Sequence, residues 1–390
     1  MITFRLALRN LLGAGLRTWL NVIVLSFSFV VIISLKGTID GWDRQAKMDM
    51  IGWEIGGGQY WQKSYDPDDP FTLNDSHDKV PEKWKEPIEA GGMAPILIAQ
   101  GTLYPSGRMQ SIIIKGIEPG QHILSLPTAA LRQDSDVINA IIGSSMAQSA
   151  RLKKGDLVTL RWRDRNGAFD ATEIKIADVF VTNVPSVDAG QIWISIEQLQ
   201  KMLLLPGEAT MLVKGNSEFS PSEAQGWKFK SRKMLLEDID KIIRAKNTSS
   251  GVMWLILLML ALLAIFDTQV LSIFRRQKEI GTYIAMGMTK RQVVALFTTE
   301  GAMHAVLATI VGAIYGVPIL ALMALKGIAL PMKSSDYGLA MADRLFPVFG
   351  IGLIISTIII VFLTTIIVSY WPTRRISKMN PTEALRGKIQ

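Results

Sequence analysis

The sequence predicts an α-helical membrane protein with four transmembrane helices and a mixed α/β extracytoplasmic domain between spans one and two. Three observations predict it. The 390 residues are 49% hydrophobic. The apolar residues gather into four runs nearly free of charge, at 18–35, 252–274, 293–325 and 346–371. Each run reaches or exceeds the roughly 20 residues that cross about 30 Å of hydrocarbon. Finally, the basic excess is confined to short flanks of those runs.

The charge pattern sets the orientation. The net charge is +8. Segment 1–17 holds Arg5, Arg9 and Arg17 and no acid. Segment 275–291 holds five basic residues and one acid, Glu279, and segment 373–390 likewise holds five bases and one acid. The long stretch 36–250 has 26 bases against 28 acids. Short cationic flanks belong on the cytoplasmic side. Four spans then place both termini inside and residues 36–250 outside. A charge excess spread this way predicts a membrane partner and no nucleic acid. The chain has no cysteine, which excludes disulfides, cysteine metal sites and thiol catalysis. No small-residue cleavage site follows the first run, so it reads as a retained span.

Taken in order, residues 1–17 place Phe4, Leu8, Leu11, Leu12 and Leu16 at helical spacing with arginines between them. This is either an amphipathic helix on the inner leaflet or an extension of span one. Span one (18–35) continues as helix to about residue 51. Residues 53–61 read as a strand interrupted by Gly56, Gly57 and Gly58. That glycine run is not a phosphate loop: GxxxxGK[ST] occurs nowhere in the chain, so no P-loop ATPase is expected here. Residues 64–86 read as an exposed loop, whose acids lack the spacing of a calcium loop.

The runs 93–104 and 109–117 form a hairpin through Pro105, Ser106 and Gly107. Residues 140–152 read as strand then helix. Strands at 157–163 and 171–180 flank the tight turn Asp164-Arg165-Asn166-Gly167. A strand at 191–195, a helix at 196–204 and a strand at 210–214 that closes the sheet follow. Residues 222–246 read as mostly helical. The 215 residues of 36–250 are enough for an independent core.

Span two (252–274) carries Asp267, and span three (293–325) carries Glu300 with His304 one turn beyond. Intramembrane ionisable groups are costly and point to function. A proton relay is one reading. Anchoring of the helix bundle through Arg275, Arg276 or Lys290 is the favoured one. Gly312 and Gly316 form a GxxxG for close helix packing, across a dimer or within the four-helix set. Pro318 is the expected bend. A loop (326–345) leads to span four (346–371) and a tail (372–390). The three histidines, His77, His122 and His304, are scattered, and no catalytic or metal cluster is visible, so no enzyme site is expected. Between spans two and three, 275–291 is the coupling segment. Its middle, 279–287, reads as a short helix in which Ile280, Ile284 and Met286 face a partner or the bilayer surface.

Three patterns now carry a resemblance. They are Phe4-x-x-Ala7-x-Arg9-Asn10-Leu11; Glu279-Ile280-Gly281 with Ala285-x-Gly287 and Glu300; and Arg374-Arg375-Ile376 with Asn380-Pro381-x-Glu383-Ala384-Leu385-Arg386. Together they resemble the MacB/FtsX/LolC-E superfamily of four-span, type VII ABC transporter permeases. Lys115-Gly116-Ile117-Glu118-Pro119, Ile142-Gly143 and Leu152-x-x-Gly155-Asp156 are similar to the lipoprotein-releasing LolC/LolE branch. The resemblance implies a permease of the bacterial inner membrane with its large domain in the periplasm. It implies partner ABC ATPase subunits that bind ATP and Mg, with no cofactor in this chain, and a second permease, identical or related. Glu279, Ile280, Gly281, Ile284, Ala285 and Gly287 would couple to the ATPase, so Glu279→Lys or Gly281→Trp is expected to uncouple it.

The implied work is extraction of lipoproteins for transfer to the outer membrane through a periplasmic carrier. MacB-like efflux of a periplasmic substrate and FtsX-like signalling to a cell-wall hydrolase are the alternatives. One departure stands out. In the lipoprotein branch one permease bears a hook that contacts the carrier, expected in the 157–180 hairpin. Here that hairpin closes on the short turn 164–167. The chain is then the hookless partner of a pair, or carrier handover is absent.

Overall fold

The computed structural model describes residues 16–132, 137–216, 224–329 and 344–378. The amphipathic pattern at 1–15, most of the loop 326–345 and the tail motif 380–386 lie outside the described residues. The chain divides into two compact units. One comprises Met1–Trp42, Ile243–Ile328 and Phe346–Gln390; the other comprises Asp43–Ile242 and Ala329–Leu345. Helix α1 (Leu16–Met50) contributes to both and continues as a π-type turn, Ile51–Ile55. Residues 53–55 are therefore helical where the sequence suggested a strand. The helical hydrogen-bond ladder simply runs on, and Trp53 stacks on Phe180 at 5.6 Å.

The α/β unit contains β1 (Gln59–Gln62), β2 (Asp78–Lys79), β3 (Met93–Tyr104), β4 (Gln110–Ile117), β5 (Ile138–Gly143), helix α2 (Ser144–Ala150), β6 (Leu157–Arg163), β7 (Phe169–Phe180), β8 (Gln191–Ser195), helix α3 (Ile196–Leu203), β9 (Glu208–Ala209), β10 (Met211–Lys214) and β11 (Trp227–Lys230). The main sheet has the order β11-β1-β10-β3-β4-β8-β5-β7-β6. It then closes on itself, because β6 also pairs with β3, from Gly101 opposite Trp162 to Tyr104 opposite Thr159. Six strands thus form a ring, and β10, β1 and β11 extend from it as a flange. The ring is closed by β6, not by the 210–214 strand as expected. Long β3 serves two partners on one edge by passing from β10 to β6. Gly101 makes this possible, since a Cβ there would lie 2.6 Å from Ile114 Cδ1 and 3.2 Å from the Arg161 carbonyl.

Alternate residues of these strands fill the core. Leu97, Leu103, Ile114, Ile142, Leu160, Ile174, Ile192 and Ile194 are buried together with Met146 of α2 and Leu199 of α3. The start of α2 is satisfied from outside the helix. The buried Asp188 carboxylate accepts from the Ser145 backbone N–H at 3.1 Å, the Ser144 hydroxyl at 3.1 Å and the Ser145 hydroxyl. This is the favourable place for a negative charge at a helix N-terminus. Gly143 is needed beside it: a Cβ would come within 2.4 Å of the Asp188 carboxylate.

Two further differences concern aromatic residues. The 222–246 segment contributes β11, whose Phe229 meets Tyr60 at 4.8 Å. The 64–86 stretch is not simply an exposed loop either. Trp84 is fully buried against Tyr60 and Trp227, and His77 bridges Glu208 (2.6 Å) and the Asn74 carbonyl (2.9 Å).

The helical unit contains α4 (Glu237–Arg275) from Ile243 onward, α5 (Gln277–Ala285), α6 (Lys290–Lys326) and α7 (Ile351–Thr373). Among the described residues α1, α4, α6 and α7 are long and apolar enough to cross a membrane. Their contacts use small and polar groups. The Asn21 amide donates to Thr268 Oγ1 at 2.6 Å, joining α1 to α4. Gly312 and Gly316 face Ser26 and Val30 of α1 in the same chain; a Cβ on Gly316 would lie 2.6 Å from Val30 Cγ2. Helix α7 buries Thr357, Val361, Thr365, Ser369 and Thr373, one every fourth residue. Against this stripe α6 sets Thr298, 3.0 Å from the Thr373 hydroxyl, and Gly301, whose Cβ would be 2.2 Å from Ser369 Oγ.

Candidate functional site

The candidate site is the polar turn between α4 and α6. Helix α4 stops at Arg275, and Arg276 leaves helical geometry with φ −102° and ψ 23°. Helix α5 follows and ends at Met286. Gly287 then takes φ 100°, a left-handed conformation that favours glycine. Helix α6 starts with a capping box. Thr289 Oγ1 accepts from the Gln292 N–H (3.3 Å), and Gln292 Oε1 accepts from the Thr289 N–H (2.8 Å). These signals make a helix–turn–helix of fixed geometry rather than a loose loop.

Helix α5 has two faces. Ile280 and Gly281 are buried, and Ile280 joins a cluster with Ile273, Val293, Phe297 and Ile376. Ile284 packs partly against the same cluster. Lys278, Glu279, Thr282, Ala285, Met286 and Gly287 are exposed, with Met286 at 69%. Ile280 and Gly281 therefore anchor the helix. The surface open to a partner is the stripe through Glu279, Thr282 and Met286.

Arg276 ties this helix to α6. Its Nη1 donates to both oxygens of Glu300 at 2.8 and 2.9 Å, and its Nε donates to Glu279 Oε2 at 2.7 Å. The guanidinium also lies over the Phe297 ring, 4.8 Å from its centre. Burial disfavours the Arg276 cation, but Glu300 and Glu279 outweigh it and hold its pKa above the ordinary value. Of the three bases considered for Glu300, Arg276 is the one that pairs with it. Asp267 differs: it is exposed on α4 and makes no ion pair among the described residues. Its near neighbour Gln269 is the buried polar residue, lying near Gly301 and Ser369. His304 is buried with Nδ1 3.2 Å from the Gly301 carbonyl.

Glu300 lies ten residues into α6, about 15 Å along its axis. One ion pair and one apolar cluster thus connect α5 to α6 at that depth. Sequence reasoning missed Gln269 and the Thr365/Ser369 stripe. The four-residue spacing of small polar residues in α7 was the available signal.

Comparison with known proteins bears on this part of the chain. Residues 251–381, which include the whole turn, match the FtsX-like permease C-terminal family. An uncharacterized ABC transporter permease of Methanocaldococcus jannaschii is 31% identical over 131 residues, 34% of this chain. The match spans 30% of that relative's length. Over the segment that holds the turn, α6 and α7, the chain is thus similar to FtsX-like permeases.

Proposed function

We propose that this chain is the permease subunit of an ABC transporter, driven by a separate ATPase that presses on α5. The observation that carries this reading is the two-faced α5 within the FtsX-like segment: an exposed stripe for contact, and a buried Arg276–Glu300 link behind it. ATP and Mg bind to the ATPase. A second permease, identical or related, completes the membrane assembly. Residues 36–250 lie outside the cytoplasmic membrane, as the charge pattern supports. Burial changes which variant tests the coupling. Gly281→Trp would disrupt the anchoring face, so Met286→Glu on the open face replaces it.

For the substrate, the similarity of Lys115–Pro119 and of the 142–160 segment to lipoprotein-releasing permeases supports extraction of lipoproteins from the membrane. The β6–β7 hairpin closes through hydrogen bonds between Asp164 and Ala168, with Gly167 at φ 83°. This supports a subunit whose partner permease makes the carrier contact. Purified complex in proteoliposomes, supplied with ATP and a competent carrier, is expected to release membrane-bound lipoprotein. Absence of release, with ATP hydrolysis intact, would contradict the substrate assignment. ATP-dependent loss of a periplasmic solute, or activation of a hydrolase, would move the chain to another branch.

A further inference from the structure

The α/β unit holds an open cleft of about 850 Å³ beside the short turn 164–167. That volume is in the range of small-molecule sites, which are mostly apolar. This cleft is polar instead. Its floor is the part of β3, residues 98–102, that passes from β10 to β6. One wall is the segment of Asn74, Asp75 and His77; the other is the end of β6 with its turn. Three arginines line it, Arg161, Arg163 and Arg165, against two aspartates, Asp75 and Asp164. Alternation along β6 sets Arg161 and Arg163 on one face, about 7 Å apart. Two side chains of that length can share one anion.

The guanidinium groups are positioned without being neutralised. That of Arg161 lies over the Phe169 ring, 4.1 Å from its centre, with Nη1 3.4 Å from the Tyr104 hydroxyl. Arg163 Nε donates to the Gly167 carbonyl at 3.2 Å. Among the described residues neither makes an ion pair. The Asp164 carboxylate instead accepts from the Ala168 N–H at 2.8 Å. Arg165 Nη1 is 3.7 Å from Glu208 Oε1, and His77 holds the other oxygen of that carboxylate. The end of α3 braces the turn: the Arg165 N–H donates to the Leu203 carbonyl at 3.2 Å, and Trp162 Nε1 donates to the Met202 carbonyl at 2.8 Å. Gly167, at φ 83°, leaves room for Arg163, since a Cβ there would lie 2.9 Å from the arginine Nη2. Groups fixed in advance bind a ligand at lower entropic cost. One guanidinium fork already fills a planar carboxylate, whereas a phosphate ester offers three terminal oxygens and more charge.

We infer that this cleft binds a small phosphate ester, with its phosphate on Arg161 and Arg163 and a hydroxylated body against Gln100, Thr102 and Asn166. The turn 164–167 then does more than close the hairpin, because it presents the cations of an anion site. The cleft lies wholly within the α/β unit, so it serves this role whatever the helical unit transports.

Calorimetric titration of the full chain in detergent, at constant ionic strength, tests this. The probes are α-glycerophosphate, inorganic phosphate and succinate, and α-glycerophosphate should bind the tightest. Arg161→Gln and Arg163→Gln should each weaken it roughly tenfold, as loss of a charge-assisted hydrogen bond does. Arg108→Gln, at an exposed arginine away from the cleft, should leave it unchanged. Arg163 is itself exposed, so its replacement spares the core, and an unaltered unfolding temperature verifies that. No binding of α-glycerophosphate, equally tight succinate, or an equal loss in Arg108→Gln would overturn the inference. So would inorganic phosphate binding as tightly as the ester, since the body would then contribute nothing. Dihexanoyl phosphatidic acid separates the sources: tighter binding than α-glycerophosphate assigns a lipid headgroup, and weaker binding a soluble ester.

Discussion

The two units of this chain are built on opposite rules. In the α/β unit the core is made of large side chains: Trp84, Trp193, Tyr60, Leu97 and Ile114 are almost fully buried. In the helical unit, α7 exposes Ile355, Ile359, Leu363 and Ile367 and buries Thr357, Thr365, Ser369 and Thr373. Water drives large apolar groups inward, and the gain scales with the area removed. Lipid gives a leucine no reason to leave it. Helices there meet through small residues that allow close approach and through hydrogen bonds between them. The same chemical substitution should therefore act differently in each half, and three sets of variants test that.

The largest effect is expected at the Arg276–Glu300 pair. Glu300→Leu or Arg276→Met alone leaves a charge without its buried partner, which typically costs about 3–5 kcal/mol. The double variant removes both charges and should recover most of that loss. Thermal unfolding of the full chain in detergent measures it; additive losses in the double variant would mean that the pair does not act as a unit. Next comes the contact between α6 and α7. Gly301→Val drives a side chain into Ser369 and should cost about 1–3 kcal/mol, as overpacking does. Ser369→Gly in the same chain should restore part of it, which a general intolerance of α6 to valine would not produce. The smallest is Asp188→Ala in the α/β unit, which removes the acceptor for the start of α2 and should cost roughly 0.5–2 kcal/mol. Asp188→Asn, which keeps one acceptor oxygen, should lose less.

Much of the architecture was legible, for identifiable reasons. The four apolar runs follow from the thickness of a bilayer. The 93–117 hairpin follows from two β-rich runs around Pro105-Ser106-Gly107, and the 164–167 turn from its Asp and Gly. Closure of the ring was not legible. Pairing of β6 with β3 joins residues some 60 positions apart, and nothing local in 157–163 names its partner. Trp84 was hidden by its setting, one aromatic residue in a charged, proline-rich stretch whose partners, Tyr60 and Trp227, lie far away in sequence. At the turn, the residues to examine were visible, but their directions were not. Adjacent residues of a helical segment point about 100° apart, so whether Arg275 or Arg276 meets Glu300 depends on where α4 ends. The same uncertainty put Ile280 on the open face of α5, where its apolar side chain instead seals the cluster with Phe297. Gly116 and Gly143, read as family motif, prove to be packing positions: a Cβ on Gly116 would lie 3.0 Å from the Ile196 Cα of α3, and one on Gly143 would run into Asp188.

The exposed stripe of α5 is the proposed contact surface for an ATPase. The most direct measurement is site-specific cross-linking in membranes, with Met286→Cys on that stripe and Phe71→Cys, 89% exposed in the α/β unit, as single cysteines. Met286→Cys should cross-link to the ATPase subunit in a yield that changes on adding ATP, while Phe71→Cys should not cross-link to it at all. Cross-linking to the ATPase from position 71, or its absence from position 286 in a complex that still hydrolyses ATP, would contradict the account.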